Sequence, residues 1–462
     1  MRRIFESLCI CVCASILFAG HSLADWPRFR GPNGTGIAMG KAPTEWSPNR
    51  NLRWKVPLPG PGVSSPIIVN GRVFVTCYSG YGESRENIGR MEDLQRHLLC
   101  VDLKSGELLW QRDVPSTVPE DPYTGPGIPT HGYASHTPAS DGRYVYVFFG
   151  KSGVMAFDMD GNQKWRTSVG TDSDPRRWGS SSSPIVYEDV VIVTAGPESR
   201  AMVGLDKRTG EELWRAPADA FGMVWGTPAI VQTEQGADVV IGAPYEIWAL
   251  NPRTGKLTWY CGAMETDQFS SSVVVDGQRV YAIEGRGGGS IALTAGGQDD
   301  ITQSNVLWSG RDSSRFATPI VYENRLYYFN NGVVTCLNAE NGQRLFQGRL
   351  RDAGSSAEEP STAAPERGNQ RGGGGRGFGG RGGFGGGGMV SDFASPVLAD
   401  GKIYYVNRSG VTFVLEAGAE FHQIAANRVT EEAEQFAATP AISDGALVMR
   451  SNKHLYCIAE DQ

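Results

Sequence analysis

The sequence predicts an all-β protein, a single eight-bladed β-propeller of four-stranded antiparallel blades. Three observations predict it. A Ser/Thr-Pro pair opening an apolar run recurs along the chain, and most copies are followed by a second motif that ends on a large aromatic residue. The last unit lacks its final strand, and a segment near residue 54 supplies one.

The first motif reads Ser65-Pro66-Ile67-Ile68-Val69-Asn70-Gly71, Thr137-Pro138-Ala139-Ser140-Asp141-Gly142 and Ser183-Pro184-Ile185-Val186-Tyr187. It recurs at Thr227-Pro228, Thr318-Pro319, Ser395-Pro396 and Thr439-Pro440, with Ser271-Ser272-Val273 as a degenerate eighth copy. Measured between prolines, with Ser272 standing in for the missing one, five intervals are 46, 44, 44, 47 and 44 residues. That is the period of a four-stranded propeller blade. The two longer intervals, Pro66 to Pro138 and Pro319 to Pro396, contain insertions.

The second motif is clearest in Cys100-Val101-Asp102-Leu103-Lys104-Ser105-Gly106-Glu107-Leu108-Leu109-Trp110. Thr209-Gly210 before Trp214, Thr254-Gly255 before Trp259 and Asn341-Gly342 before Phe346 keep its frame, and Asp158 to Trp165 is one residue shorter. Second halves end at Trp110, Trp165, Trp214, Trp259, Trp308, Phe346 and, degenerately, Ile424. An apolar strand ends on Asp or Asn, a glycine takes the positive φ of the turn, and the next strand delivers a flat ring. Such a ring fills the wedge between neighbouring blades, burying roughly 150–250 Å², so these aromatics read as packing between blades. The eighth unit stops after His454-Leu455-Tyr456-Cys457-Ile458-Ala459, and Asn51-Leu52-Arg53-Trp54-Lys55-Val56 is expected to complete it. Closure with both ends of the fold in one blade removes open sheet edges.

This frame resembles the A-x-D-x-x-T-G-x-x-x-W docking motif of PQQ-type (pyrroloquinoline-quinone) propellers, over nearly the whole chain after residue 24. Asp25-Trp26-Pro27-Arg28-Phe29-Arg30-Gly31-Pro32-Asn33-Gly34 resembles the opening segment of many bacterial extracytoplasmic PQQ-like repeat proteins. The resemblance implies one of two functions. One is a quinoprotein dehydrogenase that holds PQQ with calcium and uses an Asp base. The other is a non-catalytic scaffold similar to the BamB-like branch, docking proteins on loops and peptides on its faces. The adjacent Cys-Cys pair that dehydrogenases of this type place over the cofactor is missing, as is a haem-attaching C-x-x-C-H. The expectation is therefore a non-catalytic, monomeric binding propeller for envelope proteins or peptides, with no cofactor and no assigned catalytic residue. A PQQ-dependent dehydrogenase is the alternative, and a carbohydrate-binding propeller the second.

Met1, Arg2 and Arg3, an apolar run over 8–19 and Ser22-Leu23-Ala24 read as a signal peptide over residues 1–24, cleaved near Ala24. The run is short for a membrane span, and its Cys9, Cys11 and Cys13 lie at its start and within it, where no lipid-attachment site falls. A periplasmic or extracellular protein, at most peripheral to a membrane, is expected. A net charge of −7 offers no basic face for nucleic acid. Cys77, Cys100, Cys261, Cys336 and Cys457 remain; they form no C-x-x-C pair and read as small buried apolar residues.

Residues 78–97 form a charged insertion whose rough helical character suggests a surface flap. Residues 115–135 form a Pro/Gly-rich excursion leading to His131 and His136, beside Asp121. The histidines are candidate metal ligands, though no further ligands can be named and loop packing is the simpler reading. Residues 351–390 are a Gly/Arg-rich stretch read as a disordered loop between blades six and seven. Just ahead of the Ser/Thr-Pro copies lie Trp178, Trp225, Phe269, Phe316, Phe393 and Phe436, expected at one channel mouth, where they would stack a planar ligand or plug the channel.

Overall fold

The computed structural model describes residues 25–116, 119–125, 127–285, 287–352 and 392–460. The predicted signal peptide and nearly all of the 351–390 stretch lie outside the described residues. Eight antiparallel sheets form the ring. Blade 1 runs outwards from the channel as Ile67–Val69, Arg72–Ser79, Gln95–Asp102 and Leu108–Pro115. Blade 8 pairs Ala441–Ser443, Ala446–Arg450 and His454–Ala459 with Leu52–Pro57, and Trp54 stands opposite Cys457. The ring is closed as the sequence predicts.

The Ser/Thr-Pro motif has a specific structural role. The backbone N–H of Ser65 donates to Thr137 Oγ1, that of Thr137 to Ser183 Oγ, and that of Ser183 to Thr227 Oγ1. Thr227 donates to Ser272, Ser272 to Thr318, Thr318 to Ser395, Ser395 to Thr439, and Thr439 back to Ser65. Eight buried bonds of 2.9–3.0 Å thus encircle the channel. Ser272 occupies the hydroxyl position of the motif, so Val273 replaces the proline. The degenerate copy is therefore shifted by one residue from the alignment that put Ser272 in the place of proline.

The docking rings behave alike in five blades. The indole N–H groups of Trp54, Trp110, Trp165, Trp214 and Trp308 donate to the carbonyls of Leu103, Met159, Lys207, Pro252 and Ala339, each on the turn of the next blade. A Cβ at Gly255 would stand 2.4 Å from the Trp214 ring, and Gly255 has φ +69°, so both the turn and the close approach require glycine there.

Three blades depart from this scheme. Trp259 is fully buried but donates to Asp238 of its own blade. Blade 5 lacks the Thr-Gly turn, and Asp299–Asp300 instead pairs in parallel with Leu257–Gly262, the strand that carries Trp259. In blade 7 the register places Ala425, not Ile424, at the docking position opposite Val414, and Ile424 is exposed at the bulge. The missing ring comes from elsewhere. Trp46 is buried and stacks 6.4 Å from Tyr404, as Trp308 lies 6.4 Å from Tyr281 in blade 5. Its backbone N–H is held by Asn427 of the outer strand of blade 7. Phe346 has no N–H to donate and packs between Tyr327 and Phe421.

Residues 26–38 cross the channel at the end remote from the predicted mouth. Trp26 pairs with Ile68 in blade 1, Pro27 O accepts from Ser140 N in blade 2, and Arg28 donates to Pro228 O in blade 4. Arg30 reaches Pro319 O in blade 6, and Ile37–Ala38 pairs with Val397–Ala399 in blade 7. The five cysteines are buried and unpaired, and desolvation pushes Cys100, Cys336 and Cys457 up to about 12. They are inert thiols facing the docking aromatics Trp110, Phe346 and Trp54.

The insertion at 78–97 is not helical. Arg72–Ser79 and Gln95–Asp102 extend into it, leaving one 3-10 turn, Met91–Asp93. With 115–135 it builds a small core of Tyr78, Tyr81, Leu94, Tyr123, Ile128 and Tyr133 over the face of blade 1.

Two outcomes test this account of closure. Deleting residues 45–58 removes both Trp46 and the eighth blade's outer strand, so cooperative thermal unfolding is expected to disappear. Trp46→Ala alone is expected to cost about 3–5 kcal/mol in denaturant unfolding, as for a core aromatic; a loss below about 1 kcal/mol would show that blade 7 does not need the ring.

Candidate functional site

The loops ahead of the hydroxyl ring form the open face of the channel. Four of the six predicted mouth aromatics lie half-buried there, in two pairs. Trp178 and Trp225 stand 5.7 Å apart, and Phe316 and Phe393 4.6 Å apart. Arginines back both pairs: Arg176 over Trp178, Arg315 over Phe316 at 5.0 Å, and Arg408 over Phe393 at 5.4 Å. Such contacts contribute roughly 0.5–1 kcal/mol at exposed sites and hold the ring planes in place. Phe269 and Phe436 are placed differently. Each is buried between blades, Phe269 against Gly242 and Phe436 against Gly410 and Tyr456, and neither presents a face to the mouth.

The acidic groups of this face are engaged by the protein. Asp174 accepts from the backbone N–H groups of Arg176, Trp178 and Gly179. Asp267 pairs with Arg176, Asp312 accepts from Ser290 and Tyr328, and Asp392 from Tyr405 and the Arg408 N–H.

Between blades 2 and 3, on the same face and beneath the 115–135 excursion, lies a cavity of about 40 Å³. At its centre the imidazole of His136 meets Ser180 Oγ through Nε2 at 3.0 Å, and Ser180 donates a very short hydrogen bond to Glu198 Oε1. Glu198 stands on the one-turn helix Gly196–Ser199, which links two strands of blade 3. Around this chain, Arg96 pairs with Glu120 at 2.8 Å, both buried. Lys151 reaches Ser173 at 2.8 Å and Asp121 at 3.4 Å. Two atoms of the chain have no protein partner, His136 Nδ1 and Glu198 Oε2. Desolvation drives their titrations in opposite senses: His136 falls to about 3 and stays neutral, and Glu198 rises to about 7.

The two histidines flagged as metal candidates both line this cavity. His131 commits Nδ1 to Ser135 and Nε2 to the Trp178 carbonyl, which leaves no lone pair for a metal. Among the described residues the one grouping of three possible metal ligands is Glu432, Glu434 and His454 in blade 8, where Glu434 is held by His454 and Tyr456 and Glu432 by Lys55. The sequence reading missed Ser180, Lys151 and Glu198. Gly196-Pro197-Glu198 carried a weak signal, as a Pro-started turn with an acid after an apolar strand.

The family model described as outer membrane protein assembly factor BamB matches residues 94–348, which include the outer strands of blade 1 and all of blades 2 to 6. Among solved structures, BamB from Moraxella catarrhalis aligns at 15% identity and TM-score 0.52, over 88% of this chain and 99% of its own. A europium-containing methanol dehydrogenase aligns at 10% identity and TM-score 0.57, over 93% and 90%. The quinohemoprotein alcohol dehydrogenase ADHIIG from Pseudomonas putida HK5 aligns at 10% and 0.57, over 95% and 81%. At these identities the structural likeness speaks for the fold alone. No curated protein matches the sequence.

Glu198 makes stability depend on pH. Its carboxyl titrates near 7 in the fold against 4.5 when unfolded, so the folded state binds the proton more tightly. The ionised form is disfavoured, and the cost grows from pH 4.5 to about 7 and stays constant above. Glu198→Gln is expected to stabilise the protein at pH 8 by an amount on the order of 3 kcal/mol and to change it little at pH 4. Denaturant unfolding at the two pH values checks this.

Proposed function

The chain belongs to the family described as outer membrane protein assembly factor BamB, and from that premise we propose that it is a non-catalytic, extracytoplasmic binding propeller. Its working surface is the open face of the channel. The observation that carries this reading is the pair of arginine-backed aromatic clusters, Trp178 with Trp225 and Phe316 with Phe393, half-exposed on the one face that the N-terminal segment leaves open. Flat rings with charged neighbours suit peptides and protein loops, because they offer large contact area at low entropic cost. The leader peptide expected from the sequence supports a location outside the cytoplasm for such a surface. Among the described residues no helix is long and apolar enough to cross a membrane.

A dehydrogenase reading requires the mouth to hold PQQ and calcium. Calcium takes six to eight oxygen ligands, and the mouth carboxylates Asp174, Asp312 and Asp392 are each spent on two or more protein donors in separate loops. The residues present do not fit that pair.

The test uses the full chain and a mouth variant, Phe316→Ala with Phe393→Ala. Affinity capture from an envelope fraction is expected to return a reproducible protein with the wild type and to lose it with the variant at unchanged melting temperature. Absorbance titration with PQQ and calcium is expected to show no saturable change. Saturable PQQ binding with dye-linked alcohol oxidation would overturn the reading.

A further inference from the structure

The cavity between blades 2 and 3 has a polarity that follows from its proton positions. With Glu198 ionised, the Ser180 hydroxyl donates to Glu198 Oε1, so Ser180 receives the Nε2–H of His136. The tautomer is then fixed, and the free ends of the chain, His136 Nδ1 and Glu198 Oε2, are both lone pairs. Both residues are more than nine-tenths buried and line the cavity. Of the other polar groups facing it, His131 is held by Ser135 and Trp178, Arg96 pairs with Glu120 and Lys151 with Asp121, while Asp172 stands exposed to solvent.

The lining charges point the same way. Four carboxyl groups, Glu120 and Asp121 of the excursion, Asp172 of the crossing between blades 2 and 3, and Glu198, face two cations, Arg96 of blade 1 and Lys151 of blade 2. Both histidines are held toward the neutral form by burial. The site is therefore negative and accepts hydrogen bonds at two points. Its volume admits two or three non-hydrogen atoms, on the scale of about one water per 10–15 Å³.

We propose that this cavity is a subsite for a primary ammonium group, held between His136 Nδ1 and the Glu198 carboxylate. An ammonium carries three N–H donors and one positive charge, which answers both orphaned acceptors and the excess of carboxylates. A metal ion is not favoured, since the donors near His136 Nδ1 do not form a three-ligand set. Protonating Glu198 removes the charge and one acceptor, so the guest is released as pH falls. The assignment is independent of the partner the mouth takes.

Methylammonium chloride is the probe, with tetramethylammonium chloride at equal ionic strength as the control without N–H donors. The full chain is labelled with 15N-histidine, and the His136 Nδ1 resonance and melting temperature are followed. At pH 8 methylammonium is expected to move the resonance saturably and raise the melting temperature, while tetramethylammonium does neither. Affinity falls about tenfold per pH unit below the Glu198 titration. Glu198→Gln, which keeps the shape and the bond to Ser180, loses the response; should that variant not fold, the pH dependence of the wild type carries the same test. N-acetyl-lysine amide distinguishes the sources: binding like methylammonium assigns the site to a lysine of a docked polypeptide, and exclusion assigns it to a free amine. No saturable shift with methylammonium, an equal effect of tetramethylammonium, or undiminished affinity at pH 5 would overturn the proposal.

Discussion

Every blade hangs on the hydroxyl ring. The innermost strand of a propeller blade is a sheet edge, and its outward N–H groups have no ladder partner. Here the residue before each proline is held extended by that proline, which aims its N–H along the circumference at the next blade's Ser or Thr oxygen. Proline itself brings no N–H to an edge that has nowhere to bond it. Each bond contributes only about 1 kcal/mol net, but leaving its buried N–H unmade costs about 1–3 kcal/mol. The eight bonds are therefore less a source of stability than a rule on spacing: a blade that drifts from the ring strands a donor on one side and an acceptor on the other. Blades 1 and 8 obey the same rule across the closure, through Thr439 N and Ser65 Oγ.

Where the repeat breaks, other parts of the chain make the same physical provision. Blade 7 has alanine where a ring should be, and Trp46 enters from outside the blade to stack on Tyr404. Blade 5 has no Thr-Gly turn to receive Trp259, so the indole N–H turns to Asp238 and a two-residue strand seals the ring from above. A buried indole calls for a packed face and an acceptor; Trp259 obtains both from within its own blade and the added strand, whereas Trp46 supplies blade 7 with the packed face while its indole N–H has no protein acceptor.

The architecture was legible because it is written eight times. A period of this length survives one lost proline and two lost tryptophans, and errors of a single residue, as at Ser272 and Ile424, do not disturb the count. Residues 78–97 were misjudged because their charges repeat loosely like a helix, whereas hydrogen bonding extends the flanking strands into them. The cavity was nearly invisible for the opposite reason. Arg96, His136, Lys151, Ser180 and Glu198 come from five stretches that follow no common spacing, and only the ring geometry brings them together. The histidines stood out by rarity alone, while Glu198, whose carboxyl burial raises to about 7, sits in a four-residue turn resembling many others.

The two ends of the channel treat buried charge in contrasting ways, and the contrast bears on the proposal that the open end binds. At the closed end Arg28 and Arg30 are buried without a carboxylate, and desolvation lowers them to about 10 and 9. Arg28 Nε and Arg30 Nε and Nη1 have no protein partner, while the bonds to the Pro228 and Pro319 carbonyls fasten the segment across the ring. That charge is spent on closure. At the open end the buried acids and bases border a cavity, and the aromatic pairs border solvent. Burying an ionisable group beside empty space costs stability that packing does not return, and a fold of repeated, well-filled blades has no structural need of it. The departure from the repeat at blades 2 and 3 therefore accords with the recognition role proposed for the open face and is separate from the construction of the ring.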